Sequence, residues 1–284
     1  MFEPADDHVL DARTMARFVS QGFLRFDALV PDDINRAVIA ELEAQGGTGW
    51  CRYNQARLGP SEFFAGLPAY TRMLALPRVQ GIVRSLVGPR PLIDHLAAHV
   101  VPAGCPTAQR LHADATVDPR TEAFDIQIFY YPHDTPREAG GTLIVPGSHL
   151  RRVHEMSIAR YQNIVGQMAM VCPAGTLMVA HHGIWHCGQP NRGARTRSMM
   201  KLRLDPSVRQ RGLFPPPAPD DEEVARHLVH GQEWFGVDHR LEILQRLRLW
   251  RSLTGSDYDI DLWLGRIENQ PRQAAPRLQA VGAG

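Results

Sequence analysis

The sequence predicts a mainly β core of the jelly-roll (double-stranded β-helix, cupin-like) type, flanked by helices. Three observations predict it. The first ninety residues carry helix-capping signals, the next hundred or so break into short β-rich segments between Pro/Gly turns, and a proline run after Leu213 leads into a second helical stretch. Many short strands at turn-limited spacing exclude alternating βαβ units. With 284 residues, 44% of them hydrophobic, there is material for one large core.

Asp11 is placed to cap a helix running through Phe18 and Val19, with Gly22 to end it. Residues 22–26 read as a strand. Pro31 and Asp32 open a second helix that carries Ile34, Val38, Ile39 and Leu42 on one face and stops at Gly46-Gly47. A third helix covers residues 79–86 and closes at Gly88, and residues 47–67 read as a loop. Strands are then expected at 92–101, 125–131, 142–145, 168–171, 176–180 and 199–204, punctuated by Pro102-Ala103-Gly104, Gly140-Gly141, Pro146-Gly147 and Pro173-Ala174-Gly175. Residues 215–219 read as a stiff linker, Asp220 and Asp238 as helix caps, and 239–253 as a helix broken by Gly255. The expected division is a core domain at 1–213, N-terminal helices included, with a helical extension at 214–284 packed on it and a loose last dozen residues. Such a tail is also a candidate contact for a homodimer.

Bulk charge narrows the partners. Lys plus Arg total 31 against 30 for Asp plus Glu, a net charge of +1, which gives no basic excess for nucleic acid or a membrane surface. The N-terminus is acidic without an apolar h-region, no apolar run approaches the roughly 20 residues of a membrane span, and the four cysteines contain no CxxC pair. These features read as a cytoplasmic protein acting on a small molecule.

The chemistry starts at His112-Ala113-Asp114. In a strand, residues i and i+2 share a face, so a short strand here presents an imidazole and a carboxylate together. Alone the motif is weak, because about one HxD is expected by chance in a chain of this composition. His186, 72 residues beyond Asp114, sits at the end of an apolar segment and supplies a second imidazole. Two histidines and a carboxylate on one face match the facial triad of non-haem Fe(II) oxygenases, although zinc accepts the same donors. Arg197, eleven residues after His186 across a Gly-rich turn, has the planar fork that grips a carboxylate in two places. Arg195 lies one strand period away and competes with it.

These residues, with Gly22-Phe23-Leu24, the QRLHAD segment at 109–114, GGTLIVPGSH at 140–149 and WHCGQPNRGARTR at 185–197, resemble the phytanoyl-CoA dioxygenase family of Fe(II)/2-oxoglutarate oxygenases from roughly residue 10 to 205. The resemblance implies that His112, Asp114 and His186 hold the iron and that Arg197, in register with Asn191, binds 2-oxoglutarate. Thr142 and Gln109 resemble residues lining the cosubstrate pocket. Gly188 departs from relatives that place a hydroxyl there. The implied activity is hydroxylation of a small molecule (acyl lipid, amino acid or secondary metabolite) with O2, releasing succinate and CO2. Desaturation, epoxidation and cyclisation use the same cofactors, and halogenating relatives lack the carboxylate that Asp114 supplies. The contrasting class is a silent or non-oxygenase metal-binding barrel, in which Arg197 has no task.

Other polar residues have plainer readings. His149 and the His133-Asp134 pair read as turn residues, and His181 and His182 as packed or solvent-facing. Cys187 reads as a small core residue, Asn191 as a brace for the turn before Arg197, and Arg151-Arg152 as a solvated edge. The substrate pocket is expected between the N-terminal helices, the 47–67 loop and the tail.

Overall fold

The structure, a computed structural model, describes residues 8–115, 123–151, 153, 155–160, 163–217, 221–229 and 237–255. Helix α1 (Ala12–Gln21) starts where Asp11 accepts a hydrogen bond from the Thr14 amide through its side chain, 2.7 Å away, and ends at Gly22 with φ +79°. Strand β1 (Phe23–Phe26), α2 (Asp32–Ala44), α5 (Pro77–Val87) and β3 (Leu92–Val101) also fall where expected. The expected 47–67 loop instead contains strand β2 (Trp50–Tyr53) and a single turn, α3 (Pro60–Phe63), and α4 (Pro68–Leu74) follows. Both helical pieces begin with proline, whose fixed φ suits the first helical turn. Four residues of β2 are too few to show a periodicity in sequence.

The remaining strands are β4 (Ile126–Tyr131), β5 (Thr142–Val145), β6 (Met168–Ala169), β7 (Thr176–His181), β8 (Trp185–Gly188) and β9 (Arg197–Asp205), with one turn of helix, α6 (Glu155–Ile158), after β5. They form a six-stranded antiparallel sheet in the order β1-β7-β4-β9-β3-β2 and a three-stranded sheet β6-β5-β8, a jelly roll that does not close into a barrel.

Alternation along the large sheet separates two environments. Ile126, Ile128, Tyr130, Leu177, Val179, Met200, Leu202 and Leu204 face the helices and share a core with Phe18, Val38, Tyr70 and Leu86. The opposite face carries Phe129, Tyr131, Met178, Ala180 and Met199 and packs against Ile144 of the small sheet. Arg197 and Lys201 stand two residues either side of Met199 and take that second face. The site is therefore built between the sheets, with the helices behind it.

The tail joins the first core. In α7 (Glu222–Val229) and α8 (Val237–Thr254), Val224, Leu228, Ile243, Leu247, Trp250 and Leu253 belong to the cluster that contains Phe18 and Phe124. Most of the tail's apolar residues are thus covered within the chain, while Leu241 remains exposed. The observed cap of α7 is Asp221, whose Oδ1 accepts from the Glu223 and Val224 amides. Asp238 is not a cap, because α8 already begins at Val237. Asp220, Ala218, Pro219, Arg152 and the last dozen residues lie outside the described residues. Arg151 is part-buried rather than a solvated edge.

His149 explains why glycine stands at position 22. Its Nε2–H donates to the Val19 carbonyl (3.1 Å), and a Cβ on Gly22 would collide with the His149 ring. Gly22→Ala therefore combines a left-handed backbone penalty of about 1–2 kcal/mol with displacement of a buried ring. A denaturant midpoint clearly below wild type is expected; an unchanged midpoint would show that the ring gives way freely.

Candidate metal centre

His186 lies on β8 and His112 pairs with it through an isolated antiparallel bridge, His112 N to His186 O at 3.0 Å and His186 N to His112 O at 2.8 Å. The expected strand presenting both HxD residues is not formed. Ahead of the bridge the register slips, because the Gly188 amide donates to the Gln109 side-chain carbonyl (2.9 Å) while Gln109 N donates back to Gly188 O. Asp114 follows in a bend and comes into the site there.

Both imidazoles are oriented in the same way. Nδ1 of His112 donates to Arg110 O (2.8 Å) and Nδ1 of His186 donates to Ile184 O (3.0 Å). That fixes the Nδ1–H tautomer and turns the Nε2 lone pairs inward, as metal-binding histidines require. The rings sit 4.5 Å apart, and His112 Nε2 lies 3.6 Å from Asp114 Oδ1. One donor atom from each of His112, Asp114 and His186 falls within 4.8 Å of the others, so the three donors converge on one position suited to a single ion. Phe129 meets the His186 ring edge-on at 5.4 Å.

The electrostatics suit a cation. Burial opposes ionisation of Asp114, but His186, Lys201 and His112 outweigh it and hold the carboxyl well below the usual carboxylate range. Burial also pushes His186 down to about 4, so both histidine and carboxylate are in their ligating forms near neutrality. Lys201 Nζ lies 2.8 Å from Asp114 Oδ2, and Gln127 Nε2 donates to the same oxygen at 2.5 Å. Neither residue was legible as a site residue in sequence. The available signals were a glutamine inside the apolar run Ile126–Tyr131 and a lysine four residues after Arg197, hence on its face of the strand.

Beside the triad is a cavity of roughly 170 Å³, lined among others by Gln109, Thr142, Arg197, His99 and Lys201. Its lining among the described residues runs from His99 to Lys201 and includes the predicted cosubstrate residues Gln109, Thr142 and Arg197. Arg197 is 6% exposed and its Nη1 donates to Ala139 O and Gln189 O. Among the described residues it has no acidic partner, and burial pulls it below the ordinary arginine value. Gly140 makes room for it, since a Cβ there would meet the Pro190 carbonyl and Arg197 Nη1. Arg195 is exposed and takes no part.

Asn191, fully buried, braces the turn before β9. Its Nδ2 donates to Val101 O, Pro102 O and Arg195 O, and its Oδ1 accepts from the Gly193 amide. His133 Nε2 accepts from the Ser198 amide at 2.7 Å, anchoring the strand one residue beyond Arg197. Thr142 Oγ1 accepts from the Tyr131 hydroxyl (2.9 Å), whose pKa burial raises, so the phenol stays a donor. At Gly188 the position of the missing hydroxyl is approached by the Gln109 carboxamide. His181 and His182 are both buried, stacked on each other at 4.5 Å, and neither faces solvent. Cys187 packs with Leu111, Ala113 and Trp185.

Residues 9–199 match the sequence model of the phytanoyl-CoA dioxygenase family, about two thirds of the chain. The chain belongs to the phytanoyl-CoA dioxygenase family. A sequence search of curated proteins gave no significant match. Among solved structures, HygX from Streptomyces hygroscopicus with nickel and 2-oxoglutarate bound superposes with a TM-score of 0.56 at 14% identity, covering 70% of this chain and 88% of its own. The carbocyclase SnoK from nogalamycin biosynthesis, described as non-heme and alpha-ketoglutarate dependent, gives 0.55 at 17%, covering 72% and 87%. EctD from S. alaskensis with 2-oxoglutarate and 5-hydroxyectoine gives 0.55 at 18%, covering 73% and 80%. At these identities the structural likeness establishes the fold of this phytanoyl-CoA dioxygenase family member. No described helix is long and apolar enough to cross a membrane.

Proposed function

We propose that this chain is an Fe(II)- and 2-oxoglutarate-dependent oxygenase that hydroxylates an unactivated C–H bond of a small molecule. The observation that carries the proposal is the His112–Asp114–His186 donor set beside a cavity shared by both histidines and a buried arginine that lacks an acidic partner among the described residues. A buried unpaired guanidinium is costly, and a dicarboxylate ligand is what relieves the cost. The family and the 2-oxoglutarate found in HygX and EctD support the same cosubstrate.

His112, Asp114 and His186 would hold the iron, whose donor preference for two imidazoles and one carboxylate they match. When bound, iron with 2-oxoglutarate and O2 supplies the oxidising equivalent, with succinate and CO2 as co-products. The protein's own part is positional. Arg197 holds the far carboxylate of the cosubstrate, oriented by the carbonyls of Ala139 and Gln189. Thr142, kept in place by Tyr131, and Gln109 line the pocket around it. Phe129 and Met199 form an apolar wall that limits water near the reacting centre. Asp114 would supply the carboxylate ligand that halogenating relatives lack, which favours hydroxylation.

Anaerobic addition of Fe(II) and 2-oxoglutarate is expected to give a visible charge-transfer band, and succinate release across acyl lipids, amino acids and secondary metabolites to identify the substrate class. A metal-free protein that binds Fe(II) yet develops no band with 2-oxoglutarate would refute the reading.

A further inference from the structure

Asp114 presents its two carboxylate oxygens to different surroundings. Oδ1 faces His112 Nε2 at 3.6 Å, on the metal side. Oδ2 receives two donors, Lys201 Nζ at 2.8 Å and Gln127 Nε2 at 2.5 Å, which come from neighbouring strands, β9 and β4. Gln127 is fully buried in the all-buried strand Ile126–Tyr131, and its Oε1 has no hydrogen-bond partner among the described residues. A half-satisfied buried amide is costly, and an apolar residue at that position would not incur the cost. The one task the described contacts give its amide is the bond to Asp114. The amide cannot turn over, because its carbonyl would then face a carboxylate oxygen.

We infer that Lys201 and Gln127 are positioning residues that hold Asp114 Oδ2 away from the metal and so keep the aspartate a one-oxygen ligand. The consequence follows from counting coordination positions, and it rests on the reading given under Proposed function. Iron takes six ligands; two imidazoles and one carboxylate oxygen use three, and 2-oxoglutarate uses two. If Oδ2 also bound, no position would remain for O2. Two donors on Oδ2 make that second bond unfavourable, because it would break a charge-assisted pair and a buried hydrogen bond together.

The test uses nitric oxide as a probe of the remaining position, added anaerobically to the full-length protein loaded with Fe(II) and 2-oxoglutarate and read by electron paramagnetic resonance. Wild type should give the high-spin iron–nitrosyl signal. Lys201→Met, Gln127→Leu and the double variant should still develop the 2-oxoglutarate charge-transfer band, with Fe(II) affinity lowered by no more than the roughly 10–100-fold that loss of an outer partner costs. In the double variant the nitrosyl signal should fall by at least tenfold at the same nitric oxide concentration, and Lys201→Arg should restore most of what Lys201→Met loses. Thermal melting of the metal-free variants checks folding, and the single variants keep the test decisive should the double variant not fold. An undiminished nitrosyl signal in folded variants would overturn this inference alone. A wild type that forms no 2-oxoglutarate complex would overturn the proposed function with it.

Discussion

His112→Ala is expected to abolish 2-oxoglutarate-dependent turnover and to lower Fe(II) affinity by more than the roughly 10–100-fold that loss of an outer partner of a ligand costs. The imidazole is prepared for a metal before the metal arrives: Nδ1–H is committed to Arg110 O, and the backbone of His112 is paired to His186 in both directions. Truncation therefore removes a donor already in place, with little backbone rearrangement to offset it. Asp114→Asn is the matching carboxylate change, preferable to alanine. Alanine would leave the Lys201 ammonium facing an empty, part-buried space, and an uncompensated buried charge costs about 3–5 kcal/mol of stability. Anaerobic equilibrium dialysis with Fe(II) measures the effect. Wild-type affinity in both variants would mean that these side chains do not hold the ion.

The loss of Fe(II) binding in His112→Ala and the retained binding expected of Lys201→Met distinguish two layers of the same site. Along β9, Arg197, Lys201 and Arg203 recur on one face, and each meets a different carboxylate requirement. Arg203 pairs with Asp125 at 2.7 Å and Lys201 with Asp114 at 2.8 Å, while Arg197 has no acid within the described chain. The strand thus carries a row of cations of which two are neutralised internally. The third is the one the proposed function gives to the cosubstrate.

How much of this was legible depends on the range of the interactions. The cap at Asp11, the stop at Gly22 and most of the strands are local effects of side-chain hydrogen bonding, left-handed backbone and alternation, so the chain states them directly. His186 and Arg197 could be picked out because their spacing is set by one short connection between two strands consecutive in sequence. His112 and Asp114 were picked out too, but not the irregular backbone that carries them, since its register depends on the Gln109 side chain taking the Gly188 amide across 79 residues. Gln127 and Lys201 were hidden for a related reason. A polar residue in an apolar strand signals a buried partner, but sheet order alone decides which partner, and β4 meets β9 rather than its neighbours in sequence. For the tail, amphipathicity named an apolar face but left open whether the same domain or a second subunit covers it; α1 and the jelly-roll core cover most of it here.

Arg197→Ala should raise the 2-oxoglutarate requirement steeply while leaving Fe(II) binding close to wild type. Truncating one partner of a buried, hydrogen-bonded charge pair costs about 2–5 kcal/mol, equivalent to roughly thirtyfold or more in KM for the cosubstrate. The guanidinium is held on two carbonyls, Ala139 O and Gln189 O, beneath Gly140, so its fork is pre-oriented and little affinity is lost to ordering it. Arg197→Lys keeps the charge but cannot make the planar two-point contact, and it should fall between wild type and alanine. Arg195→Ala supplies the control, because that side chain is exposed and only its backbone carbonyl is used, by Asn191. Titrating the charge-transfer band with 2-oxoglutarate separates cosubstrate affinity from turnover in all three variants. An Arg195→Ala effect larger than that of Arg197→Ala would place the anchor on the wrong arginine. A loss of Fe(II) binding in Arg197→Ala would show that the arginine supports the metal centre rather than the cosubstrate.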